Sequence, residues 1–156
     1  MHFLNLNDYS YKQLRDLLDH AGELKKDRGA SADAMRGKTL ALLFLKPSTR
    51  TRVSFETGMH QLGGSAIYLT PDTSQMGRGE TVADTVGTLS RYVDGIAARV
   101  YGHEQIEEIA QYSGVPVING LTDFNHPCQI LADLMTMEEH LGSLRRRKLV
   151  FYGAAD

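Results

Sequence analysis

Short apolar runs alternate with helical patterns from residue 39 onward, and this alternation limits the fold more than any other feature of the chain. The runs are Thr39 to Phe44, Ala66 to Thr70, Gly95 to Val100, Val115 to Asn119 and Leu149 to Tyr152. Near-continuous apolar runs of this length fit strands buried on both faces. Between them, Thr51 to Leu62, Thr81 to Val93, His103 to Ser113 and Gln129 to Leu141 carry apolar residues at helical spacing. Strands joined through helices are parallel, and their crossovers are right-handed. The expected fold class is therefore α/β: a parallel sheet of four or slightly more strands, with helices on both faces.

Local signals mark several boundaries. Ser10-Tyr11-Lys12-Gln13 has the form of a capping box, and Leu14, Leu17, Leu18, Ala21 and Leu24 then recur as the inner face of a docking helix. Thr81 with Asp84 caps the third helical pattern, while Gly63-Gly64 and Gly114 close the second and fourth. The run Pro71 to Gly79, with glycines on both sides of Arg78, is the longest loop by composition. No repeat or low-complexity tract interrupts the pattern.

Ligands of parallel sheets lie beyond the carboxyl ends of the strands, near a switch in strand order. Three polar groups fall at such ends: Ser48 to Arg52, Arg99, and His126 to Gln129. A helix start leaves about four N–H groups without partners and carries partial positive charge, which suits an oxyanion. Ser48, Thr49 and Thr51 add hydroxyl donors there, and Arg50 adds a planar fork that matches phosphate or carboxylate. The plain alternative is a capped helix with two surface arginines. Pro127 reads as a first helical residue, which brings His126 and Gln129 to another helix start. Taken alone, His126 is equally a cap or a satisfied polar residue.

Composition removes other functions. With 156 residues, 42% of them hydrophobic, the chain is long enough to bury a core as one domain. A net charge of −2 provides no long-range basic field, so neither nucleic acid nor an anionic membrane is an expected partner. The run Arg145-Arg146-Arg147-Lys148 follows a helix end and reads as a solvated, dipole-favoured cluster. Cys128 is the single cysteine, so no internal disulfide forms, and a reducing, cytoplasmic location is expected. Cys128 itself reads as a small helix-start residue. No apolar stretch reaches the ~20 residues needed to span a bilayer, and charged residues come too early for a signal peptide. No metal or cofactor is expected: the histidines show no paired ligand spacing, and no glycine-rich nucleotide loop is present.

The segment Phe44 to Glu56 reads F-x-K-P-S-T-R-T-R-x-S-F-E. With Asp84-Thr85, Ser90-Arg91-Tyr92-Val93-Asp94 and the H-P-C-Q of His126 to Gln129, it resembles the aspartate/ornithine carbamoyltransferase family from about Leu40 to Val150. The likeness is greatest to the ornithine branch, on Ser74 to Glu80, Leu89 to Gly95 and Asn119 to Asp123. The resemblance implies transfer of a carbamoyl group from carbamoyl phosphate to the side-chain amine of ornithine, giving citrulline and phosphate. It assigns carbamoyl phosphate to Ser48, Thr49, Arg50, Thr51, Arg99, His126 and Gln129, with Gln75 from a neighbouring subunit of a homotrimer or a multiple of it. Arg50, Arg99 and His126 match the catalytic positions. It also implies that residues 1–147 are the carbamoyl phosphate-binding domain and 148–156 the start of a second, amino-acid-binding domain, without which the chain is inactive. Transfer to another amine, putrescine or aspartate, and a non-catalytic anion-binding or assembly module remain the alternatives.

Overall fold

The computed structural model describes residues 1–27, 29, 31–150 and 152–153. Its elements are helix α1 (Tyr11–Lys26), strand β1 (Thr39–Phe44), helix α2 (Thr49–Gln61), strand β2 (Ser65–Leu69), helix α3 (Val82–Leu89), strand β3 (Gly95–Arg99), helix α4 (His103–Tyr112), strand β4 (Val117–Leu121) and helix α5 (Pro127–Leu141). The strands are all parallel and lie in the order β2-β1-β3-β4. This is the α/β sheet that the alternation predicts.

The pleat sorts the apolar residues into two layers. Ala41 and Leu43 of β1 pack with Ile96, Ala98 and Val117 against Val86 of α3 and Ile106 and Ile109 of α4. Leu40, Leu42, Phe44 and Ala97 pack on the opposite face against Phe55 and Met59 of α2. Helices α1 and α5 complete that second layer, where Leu17, Phe55, Ile118 and Leu131 line a common hollow. Charge ties these two helices together: Arg15 meets Glu138 at 2.7 Å and Lys25 meets Glu139 at 2.8 Å.

Helix starts follow the local chemistry. Ser10 and Gln13 form the expected capping box of α1, and Thr81 accepts from the Asp84 N–H at the start of α3. Gly63 turns the chain after α2 with φ +81°, where a side chain would meet the Ala32 carbonyl. Several boundaries move from their expected places. Helix α2 begins at Thr49, because Ser48 rather than a later residue is its cap. Helix α3 ends at Leu89 instead of running to Val93. There the Ser90 hydroxyl donates back to the Val86 carbonyl, and the N–H groups of Arg91 and Tyr92 take the tighter bonds to Thr88 and Leu89. Strand β4 starts at Val117 because Pro116 has no N–H to donate to a ladder.

One expected element does not form. Leu149, Val150 and Tyr152 are not in a strand and are largely exposed, with no strand paired to them among the described residues. Phe151 lies outside the described residues. The free edge of β4 is instead paired to the beginning of the chain. Phe3 donates its N–H to the Val117 carbonyl at 2.7 Å and accepts from the Asn119 N–H at 2.9 Å.

Asp94 joins the entrances of the two central strands. Its carboxylate accepts from Lys38 Nζ at 2.7 Å and from the Thr39 N–H at 2.9 Å, and these bonds hold its pKa below the ordinary 3.8. A carboxylate whose pKa is depressed on folding contributes stability above its unfolded value and loses it as pH falls through the folded one. Asp94→Asn is therefore expected to be less stable than the parent, by an amount constant from neutral pH to about pH 5 and shrinking below about pH 4. Urea midpoints measured across that range check this.

Candidate active site

The strand order reverses direction between β1 and β3, since the chain leaves β1 for β2 on one side and returns to β3 on the other. A crevice opens beyond the carboxyl ends of those strands. A cleft of about 460 Å³ lies there, lined by Ser48, Arg50 and Thr51 after β1, Arg99 at the end of β3, and His126 and Gln129 after β4. Six of the eight residues expected to hold the ligand thus meet in one place. Thr49 turns toward a neighbouring groove with Leu24 and Lys25. Gln75 lies exposed in a 3₁₀ turn, Gln75–Arg78, beyond β2, and does not line the cleft of its own chain.

Each group is positioned by its element. Ser48 accepts from the Thr51 N–H at 3.3 Å and donates to Thr51 Oγ1 at 3.0 Å, which fixes both hydroxyls at the α2 start. The N–H groups of Thr49 and Arg50 have no backbone partner among the described residues. Arg52 takes a different path. It pairs with Glu56 at 3.0 Å and stacks 3.9 Å from the Tyr68 ring centre, so of the two arginines only Arg50 serves the cleft.

Arg99 owes its aim to a bulge. Ala98 pairs with Asn119 but Arg99 with Leu121, leaving Gly120 as an extra residue in β4. A side chain at Gly120 would come within 3.1 Å of the Ala98 carbonyl, so any larger residue would push the strands apart by a few tenths of an ångström. Arg99 Nη1 then donates to the Gly120 carbonyl at 3.5 Å and to Thr51 Oγ1 at 3.4 Å.

Asn119 supports the same region and went unrecognised as a positioning residue in the sequence. It is fully buried. Its Nδ2 donates to the Leu4 carbonyl at 3.0 Å and to Asn125 Oδ1 at 2.6 Å, and its Oδ1 accepts from the Leu121 N–H at 2.9 Å. The residue before His126 is thereby tied to the strand. A polar residue inside an apolar run was the available signal.

The electrostatics favour an anion. Neither Arg50 nor Arg99 forms an ion pair among the described residues. Burial lowers the pKa of Arg99, and the charge of Arg50 lowers it further, although a guanidinium remains charged. Arg99 Nε and His126 Nδ1 are buried without a partner among the described residues. Each such orphan costs about 1–3 kcal/mol, which a bound ligand can offset. Burial also lowers the pKa of His126, as does Arg99, against the opposing pull of Asp133, so the ring is neutral at pH 7. Cys128 is pushed up to about 11 by burial, which leaves a thiol and no nucleophile. Among the described residues no cluster of three or more His, Cys, Asp or Glu can hold a metal ion.

Residues 1–139 match the family described as "Aspartate/ornithine carbamoyltransferase, carbamoyl-P binding domain". The chain belongs to this family. It is 54% identical over 153 residues to the ornithine carbamoyltransferase of Carboxydothermus hydrogenoformans, covering 97% of this chain and 49% of that one. The structure of ornithine carbamoyltransferase from Pyrococcus furiosus matches with a TM-score of 0.86 and 52% identity, over 92% of this chain and 46% of the other. A mutant of N-acetyl-L-ornithine transcarbamylase, solved with carbamyl phosphate and N-succinyl-L-norvaline, matches with a TM-score of 0.83 and 37% identity, over 94% and 50% of the two chains. The chain thus spans about half the length of the curated relatives it matches.

Two outcomes test this geometry. Asn119→Ala leaves the Leu121 N–H, the Leu4 carbonyl and Asn125 without their partner and is expected to destabilise the chain by roughly 2–4 kcal/mol in urea unfolding. His126 is expected to titrate below 6.5 by NMR and to move upward when phosphate is added, since a nearby anion favours the imidazolium.

Proposed function

We propose that this chain is the carbamoyl phosphate-binding half of an ornithine carbamoyltransferase, which makes citrulline and phosphate and serves arginine biosynthesis in the cytoplasm. The observation that carries the reading is the pair of guanidinium groups, Arg50 and Arg99, facing one cleft with no carboxylate among its described lining residues. A phosphate dianion fills that need, with the Ser48 and Thr51 hydroxyls and the α2 start around it. High identity to ornithine carbamoyltransferases, against 37% to the N-acetylornithine enzyme, supports ornithine as the acceptor.

The chemistry asks for stabilised charge. The amine nitrogen attacks the carbonyl carbon, the carbon–oxygen bond to phosphate breaks, and the amine proton leaves to solvent. Negative charge grows first on the carbonyl oxygen and then on the departing phosphate. Donors held in place before the reaction stabilise those states most. Arg99 bridges the phosphate and the carbonyl oxygen, His126 donates to that oxygen, and Gln129 holds the carbamoyl nitrogen. Removal of one such donor typically costs ~10²–10³ in rate.

The remaining parts belong to the assembled enzyme. Residues 1–147 form the carbamoyl phosphate domain, 148–156 lead into the domain that binds the amino acid, and Gln75 completes the site of a neighbour in a homotrimer. Calorimetry with carbamoyl phosphate tests the anion half directly. Arg50→Ala is expected to remove most of the affinity and Arg145→Ala to leave it intact, because Arg145 lies in an exposed run away from the cleft. Equal losses from both variants overturn the assignment.

A further inference from the structure

Gln129 lines the cleft, yet its side chain is already half engaged. Its Nε2 donates to Asp133 Oδ1 at 2.8 Å, one helical turn further along α5. Asp133 does not itself line the cleft. We propose that Asp133 is a positioning residue that fixes which end of the Gln129 amide meets the ligand, and so selects a carbamoyl phosphate over an acyl phosphate of the same shape. This rests on the function proposed above.

A side-chain amide has one accepting end and one donating end, and a carboxylate only accepts. Asp133 therefore holds the donating end, which leaves Gln129 Oε1 as the free end of the amide. The other polar side chains of the cleft offer donors to a phosphate and a carbonyl, and Gln129 is the one amide side chain among its described lining residues. Arg50 and Arg99 only donate, and the oxygen of Thr51 is already approached by Ser48 and Arg99. Such donors suit the oxygens of a phosphate and a carbonyl. They do not suit an NH₂ group, which needs an acceptor. With Nε2 held by Asp133, Oε1 is that acceptor. An acetyl phosphate presents a methyl group at the same position and leaves Oε1 unpaired.

Without Asp133 the amide is free to turn. In half of its orientations it would then present N–H groups to the N–H groups of the ligand. One neutral hydrogen bond contributes about 0.5–1.5 kcal/mol, so the expected loss of carbamoyl phosphate affinity is roughly three- to tenfold. Ligands that lack the NH₂ group have no such bond to lose.

The test is calorimetric titration of the chain and its Asp133→Ala and Asp133→Glu variants with carbamoyl phosphate, acetyl phosphate and inorganic phosphate, with far-UV circular dichroism to follow the fold. Asp133 is exposed, so its truncation leaves the core untouched. Asp133→Ala is expected to weaken carbamoyl phosphate by that factor relative to the other two ligands, since the bond to the NH₂ group is lost for it alone, whereas loss of the Asp133 charge, which also acts on His126, bears on all three anions alike. Asp133→Glu is expected to restore the preference, because a longer carboxylate on the same helix face still reaches the amide. A merely structural residue would weaken all three ligands alike, and that result overturns the inference. A wild-type preference for carbamoyl phosphate that survives in Asp133→Ala overturns this inference alone. Failure of the wild-type chain to distinguish carbamoyl phosphate from inorganic phosphate overturns the proposed function and the inference with it.

Discussion

Everything in this chain depends on the burial of β1 and β3 as the two central strands of a parallel sheet. Apart from Thr39 and Arg99 at their ends, their residues are buried on both faces, so register is set by the packing of Leu42, Leu43, Ile96 and Ala97 rather than by any turn. A sheet fixed in this way also fixes where its strands end. Phe44 pairs with Arg99, so the turn that carries Ser48 and the guanidinium of Arg99 leave the sheet side by side. The meeting of hydroxyl and guanidinium donors is thus a product of hydrophobic register, and the polar groups contribute little to choosing it.

The cleft runs against the usual economy of folding. Two like charges face each other, a histidine is held neutral by burial, and polar atoms of Arg99 and His126 lie buried without partners. The core layers on either side of the sheet supply the stability that tolerates this arrangement. The bulge at Gly120 belongs to the same compromise. It breaks the ladder at one residue and in exchange turns a carbonyl toward Arg99.

Much of this was legible in the sequence, for physical reasons. Strand β1 appeared with its observed ends because its run is apolar throughout and is punctuated by Lys46-Pro47. The groups at the strand ends were legible because helix starts and hydroxyl clusters are local signals. What escaped was long-range. Nothing near Asn119 tells that its amide meets Leu4, and nothing near Arg52 tells that Tyr68 will take its guanidinium. Strand β4 was displaced by two residues at its start because the bulge and Pro116 act on pairing, which periodicity does not see. The strand expected at Leu149 to Tyr152 was read from composition, but a strand exists only beside a neighbour. Asp133 had a visible signal, its i,i+4 spacing from Gln129, and that signal is common enough on helices to pass unnoticed.

The pairing of the first residues of the chain with β4 has a consequence for the order of events during synthesis. Leu4 and Asn119 are separated by 115 residues in sequence. The segment around Phe3 and Leu4 leaves the ribosome well before β4 and lacks these partners until almost the whole sheet has followed. Through that interval the side of β3 away from β1 is unfilled, and unpaired strand edges are what neighbouring nascent chains join most readily. The late arrival of β4 fills that side of β3, takes Phe3 along its own edge and, through Asn119 and Asn125, sets the loop before His126. The last binding loop and the segment around Phe3 are therefore completed in one step, so a polypeptide on the ribosome has no anion cleft until β4 has joined β3.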